Sequence, residues 1–195
     1  MEGLLKGIVA GFAIAIPVGP VGVLLIETAV HQGFVIAAAG ALGAASADLI
    51  YASVAALFGT AAASRLEPLQ DELKIVAAIV LMLIAIRGLL NARKPKERDL
   101  AEPRRHRSYL TFLGVTLLNP ATVSYFVALV IGLDLGKSSR LLFVLGAGAA
   151  SASWQLLLVA AAGALGTRLT ERGRVVTSLV GSVIVAGLAV YTLLG

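Results

Sequence analysis

Asp48 stands in the phrase GAASADLIY, Gly43–Tyr51, among residues that are otherwise small or apolar apart from Ser46 and Tyr51. On a helix that starts near Phe34, it falls roughly 20 Å along a charge-poor run, near the middle of a bilayer. Insertion of Asp at that depth is disfavoured by about 2.5 to 3.5 kcal/mol. No Lys or Arg occupies the middle of any apolar segment to pair with it. Such a residue usually lines a polar cavity and marks a path for substrate, ion or proton. As an acid it can cycle between protonated and ionised forms. The plain alternative is a protonated Asp bonding a neighbouring helix. The phrase returns as GAASASWQL, Gly148–Leu156. Gly43–Ala47 recurs as Gly148–Ala152, and Ser153 takes the position of Asp48. Ser153 and Gln155 are then expected as a neutral wall opposite an acidic one. Tyr51 could bring a hydroxyl to the same space.

Two further motifs carry backbone chemistry. IPVGPVG interrupts one apolar segment with Pro17, Gly19, Pro20 and Gly22, and LLNPAT interrupts another with Asn119 and Pro120. Proline lacks an N–H and clashes with the carbonyl four residues back. Pro17 would free the carbonyl of Ala13, Pro20 that of Ile16 and Pro120 that of Thr116. In lipid such a group persists unpaired only where protein, water or a ligand satisfies it. Freed carbonyls can hold a cation such as an ammonium. The start of the following half-helix favours an anion such as a carboxylate. A zwitterion suits both. Ordinary proline kinks are the rival reading.

The elements that would position these groups are apolar helices. The chain has 195 residues, 58% hydrophobic and 14% charged, with a mean hydropathy of +0.94. Six apolar segments are expected, at Leu4–Ile26, Phe34–Thr60, Leu73–Leu90, Tyr109–Leu133, Leu141–Leu165 and Val175–Leu194. Each can cross a hydrocarbon core of about 30 Å. The third is the shortest, with Lys74 and Arg87 near its ends. The predicted fold is an all-α integral membrane protein, with no soluble domain left over. Aligned on GAASA, helix 1 matches helix 4, 2 matches 5 and 3 matches 6. A three-helix unit inverts when repeated, giving a 3+3 inverted repeat with helices 1 and 4 broken. Repeat 1 covers about residues 1–92, and repeat 2 about 109–195.

Between them, 91–108 reads NARKPKERDLAEPRRHRS, with Arg93, Lys94, Lys96, Arg98, Arg104, Arg105 and Arg107. A basic run can bind nucleic acid. Flanked by membrane segments, it reads instead as a cytoplasmic loop under the positive-inside rule, in reach of anionic headgroups. Arg168, Arg172 and Arg174 fall on the same side, so both termini are expected outside. Lys6 weakens that assignment. If the first segment does not span, the N-terminus lies inside.

Other chemistries find little support. There is no cysteine, which excludes thiol–disulfide chemistry and Cys-ligated metals. His31 and His106 are expected in loops, without partners at metal-ligand spacing. Glu27 is expected at a segment end, where charge is tolerated. No metal or organic cofactor is implied. Ser46, Ser53, Ser151 and Ser153 have no intramembrane His or Lys to activate them, so an enzyme is not expected. Gly40, Gly43, Ala44 and Ala47 line one face, matched by Gly148 and Ala152. Small residues let membrane helices approach closely, within one chain or across a homodimer.

PVGPVG in helix 1, then Gly33, Gly40 and Gly43, Asp48 in helix 2 and LLNP in helix 4 together resemble the LysE/RhtB family of bacterial amino-acid exporters. The resemblance covers nearly the whole chain. It implies export of amino acids or related small metabolites across the bacterial cytoplasmic membrane, coupled to the proton gradient. It directs attention to Pro17, Gly19, Pro20, Asp48, Asn119 and Pro120. The family's tight Pro-Gly-Pro is here one residue longer, and Ala121 stands where many members carry Lys. Relatives in the wider superfamily move metal ions.

The expectation is an alternating-access exporter, with Asp48 taking the substrate ammonium or the driving proton. An inorganic-cation transporter and a non-transporting membrane subunit are the rivals. A dry cation site usually wants more hard ligands than one carboxylate.

Overall fold

A computed structural model describes residues 1–17, 19–58, 68, 70–92, 105–119, 122, 139–168 and 170–194. These form seven helices: α1 Glu2–Ala15, α2 Pro20–Gln32, α3 Phe34–Phe58, α4 Gln70–Ala92, α5 Arg105–Leu117, α6 Arg140–Gly166 and α7 Glu171–Leu194. No strand occurs among the described residues. Two helices, Phe34–Phe58 and Arg140–Gly166, are long and apolar enough to cross a membrane. Glu2–Ala15 and Pro20–Gln32 together make a third if the bent pair is one span. The six expected spans are therefore not all shown.

The first expected segment is two helices meeting at 74°. Ile16 closes α1 by giving its N–H to the Phe12 carbonyl at 2.9 Å. Pro17 has no N–H with which to continue. Pro20 then occupies the first position of α2, where an N–H would have no intrahelical partner anyway and the proline φ suits a helix. The expected freeing of the Ile16 carbonyl by Pro20 is thus a change of helix, with no gap inside one. Gly33 ends α2 at φ 86° and passes the chain directly into α3. A side chain there would be strained.

Small residues decide which helices touch. A Cβ at Gly3, Gly7 or Gly11 of α1 would run into the backbone of Ser139, Phe143 or Ala147, at and beyond the start of α6. Gly146 of α6 answers against Leu4 and Ile8. Gly43 of α3 admits the Tyr109 backbone of α5 in the same way, and Gly40 makes room for the Phe112 ring. Ala44 and Ala47 are fully buried. The face expected to serve packing or a dimer is occupied within the chain. Gly148 sits against Leu49 across the contact between α3 and α6, and α4 packs on α7. Leu24, Leu25, Val30, Leu81, Ala85, Phe112, Val159 and Val185 belong to the main apolar core.

Three polar residues lie elsewhere than expected. His31 is in the last turn of α2, with Nδ1 2.9 Å from the Glu27 carbonyl oxygen. Glu27 is in the body of α2, beside Gly181 of α7. His106 belongs to the first turn of α5, because Arg105–Ser108 extends that helix into the expected loop.

Candidate functional site

Asp48 is 4% exposed, within the membrane-spanning stretch of α3. Opposite it, α6 presents Ser151 and Gln155, four residues apart and so on one face. The Ser151 hydroxyl donates to Asp48 Oδ2 at 2.5 Å. The Gln155 amide donates to the same oxygen at 3.3 Å and to Ser151 Oγ at 3.1 Å. Both donors converge on one carboxylate oxygen. Oδ1 takes no hydrogen bond among the described residues. No described Lys or Arg forms an ion pair with Asp48.

The helix breaks complete the surroundings. A cleft of about 70 Å³ is lined by Ile14, Ala15, Pro17, Gly19, Val21, Gly22 and Leu25 at the first break. Asp48, Gln155 and Leu158 form another part of its wall, and Thr116, Asn119 and Thr122 come from around the second break. The α2 N-terminus borders this space through extended Gly19 and the next turn. Gly19 accepts the Val23 N–H at 3.1 Å, whereas first-turn N–H groups have no intrahelical acceptor. They carry the positive end of the helix dipole. Two buried polar atoms on lining residues, Thr116 Oγ1 and Gln155 Oε1, have no hydrogen-bond partner among the described residues. Orphaned buried polar atoms are uncommon in folded proteins and are often met by water or ligand.

The second break is held differently from the expectation. Asn119 gives its N–H to the Thr116 carbonyl at 3.0 Å, so that carbonyl is paired in a tight turn. The Tyr51 hydroxyl reaches across from α3 to the Leu117 carbonyl at 2.5 Å. Tyr51 therefore caps the end of α5 and does not line the cleft. It is the Thr116 side chain, not its carbonyl, that is left without a partner.

Of the sequence-derived residues, Asp48, Pro17, Gly19, Asn119 and Gln155 come together around one cleft. Pro20 lines a smaller apolar cavity with Val21, Val80, Leu81, Val115, Leu118 and Asn119. Pro120 lies outside the described residues. Ser153 stands apart: it is exposed and donates to the Ala150 carbonyl of its own helix at 2.8 Å. Two residues turn a helix by roughly 200°, so Ser151 and Ser153 point to opposite sides. Ser151 and Thr122 were not singled out for the site, and Thr116 was named only for its carbonyl. The four-residue spacing of Ser151 and Gln155 was the available signal for the first. Thr122 lies just past a proline and carries no periodic signal.

The structure is all-helical in its described part, with spanning helices and a polar cleft at broken helices. That is the architecture of a multi-pass membrane protein. The family model described as LysE type translocator matches residues 12–195. The chain belongs to this family of translocators, and is thereby a membrane transporter. Comparisons with curated proteins and with solved structures gave no match.

Proposed function

We propose that the protein exports amino acids or related small zwitterions across the bacterial cytoplasmic membrane, exchanging them for protons by alternating access. The observation that carries this reading is one cleft bordered by both a helix N-terminus and a buried carboxylate. The N-terminus of α2 suits a substrate carboxylate. Asp48 Oδ1 suits an ammonium. Apolar Ile14, Val21, Leu25 and Leu158 suit a short side chain between them. With both ends of the ligand recognised, the cleft accommodates a molecule carrying both charges at short separation.

The packing supports a six-span 3+3 inverted repeat. α1 meets α6 through close-packed glycines, and α5 meets α3 through close-packed glycines. α3 also meets α6, and α4 meets α7. Exchanging the halves turns each of these pairs into another or into itself. The basic stretch 91–108 would then face the cytoplasm, as the positive-inside rule requires.

Purified protein in liposomes loaded with a mixed amino-acid pool tests the reading. An imposed proton gradient should drive efflux of one amino-acid class, and Asp48→Asn should abolish it. Efflux no greater than from empty liposomes, with the protein folded, would sink it. Efflux unchanged in the variant would remove Asp48 from the mechanism.

A further inference from the structure

Resting on that transport reading, we infer that Gln155 follows the protonation of Asp48, turning its side-chain amide over when the carboxyl gains a proton and so serving both states of the site. The observed arrangement fits an ionised Asp48. Gln155 Nε2 lies 3.3 Å from Oδ2 and 3.1 Å from Ser151 Oγ, so the amide acts as a donor to both. Ser151 donates to the same Oδ2. Gln155 Oε1 is buried and unpaired among the described residues. Two donors meet one carboxylate oxygen while an acceptor on the same amide stands idle.

Protonation reverses the demand. A carboxyl has an O–H to donate and needs an acceptor. The last torsion of Gln is broad and roughly two-fold, so a half-turn of the amide is an ordinary motion. The half-turn replaces Nε2 by Oε1, which accepts the Asp48 O–H. The proton comes from water in the cleft and returns to it, and no other covalent bond changes.

Gln155 lines the cleft beside Asp48, although its Oε1 is buried in the observed arrangement. With Asp48 ionised, the cleft offers a carboxylate held by two donors, which suits an ammonium. With Asp48 neutral, that charge is gone and the turned amide holds the acid O–H through Oε1. The ionised state is the one with an unmet buried acceptor, and a proton on Asp48 relieves it.

Among the described residues, the other titratable groups on the helices packed around Asp48 are Tyr51, which neighbours it, and groups further along those helices. Tyr51, one turn along α3, donates to Leu117. Tyr109 of α5 donates to Ser46 at 2.9 Å, and Arg105, His106 and Arg107 lie in that helix's first turn. Glu27 and His31 belong to later turns of α2, and Arg140 begins α6.

Infrared difference spectra of lipid-reconstituted protein between neutral and acidic pH test this without any substrate. Glutamine labelled with ¹³C at the side-chain carbonyl reports the amide, and Gln155→Leu identifies its band among those of Gln32 and Gln70. A carboxyl band should appear on acidification and be lost in Asp48→Asn. The Gln155 band should shift with it in the wild type and stay still in Asp48→Asn. Gln155→Leu should move the carboxyl band toward that of an unbonded acid. A Gln155 band that stays fixed while Asp48 titrates overturns the inference, and so does the absence of any Asp48 carboxyl band. Should Gln155→Leu fail to fold, the labelled wild type and Asp48→Asn carry the test. A moving amide in a protein without efflux would sink the export reading alone. Efflux with a still amide would sink the switch alone.

Discussion

Ser151 uses its hydroxyl in both directions, donating to Asp48 and accepting from Gln155. It is the residue through which α6 holds the carboxylate in place. A hydrogen bond to a charged group contributes about 1.5–3 kcal/mol. Ser151→Ala should therefore lower gradient-driven efflux by about tenfold or more, since 1.4 kcal/mol is a factor of ten. Ser153→Ala should stay near wild type, because among the described residues that hydroxyl bonds within its own helix. Initial efflux rates of the two variants in the same liposomes check this. Equal losses would mean that the face of α6 is misassigned. The GAASA repeat marks Ser153 by alignment, yet helix phase selects Ser151. Matching letters between halves of a chain do not preserve which side of a helix a residue occupies.

At the scale of the element, glycine spacing sets the contacts. Gly3, Gly7 and Gly11 recur every four residues and bring α1 onto α6 at backbone distance. Gly7→Leu would place a branched side chain against the Phe143 carbonyl. Overpacking of this kind typically costs about 1–3 kcal/mol, and more where backbone must move. Gly187 of α7, by contrast, has open space around its missing Cβ among the described residues. Gly187→Ala should stabilise by about 0.5–1 kcal/mol through helix propensity. Thermal unfolding of both variants in one detergent reads the difference. A Gly7→Leu protein as stable as wild type would show that α1 does not bear on α6. The helices were legible in the sequence because long charge-poor runs and prolines mark their bodies and breaks. Their partners were harder to read. The α1 glycines lie in a segment whose most conspicuous feature is its proline break, and a glycine gains meaning as a contact only when the opposing backbone is known.

For the whole molecule, the central question is the side on which each loop lies. The chain has no cysteine, so one introduced thiol is a sole reporter. Asp99→Cys, in the basic stretch, should resist a membrane-impermeant maleimide on spheroplasts and react after permeabilisation. Labelling before permeabilisation would reverse the proposed orientation. Lys6 is a smaller obstacle to that orientation than its position alone implies. It pairs with Glu2 at 2.8 Å on the same helix turn.

The sequence by itself determined that this is a helical membrane protein, where its chain breaks and which acid sits at depth. Those properties are local or compositional: a run of apolar residues, a missing proline N–H, a charge among small neighbours. It also carried enough of a family pattern for the translocator match over residues 12–195. The tertiary structure decided what surrounds Asp48. Ser151 and Gln155 lie 103 and 107 positions away in sequence, and their side chains meet the carboxylate because α3 and α6 pack in one register. It also decided that Tyr51 closes the end of α5 and that Thr116 borders the cleft. Rotation about a helix axis and the register between helices are set by side-chain volumes across the whole contact. No short stretch of sequence encodes them, so the site became definite only when the helices were packed.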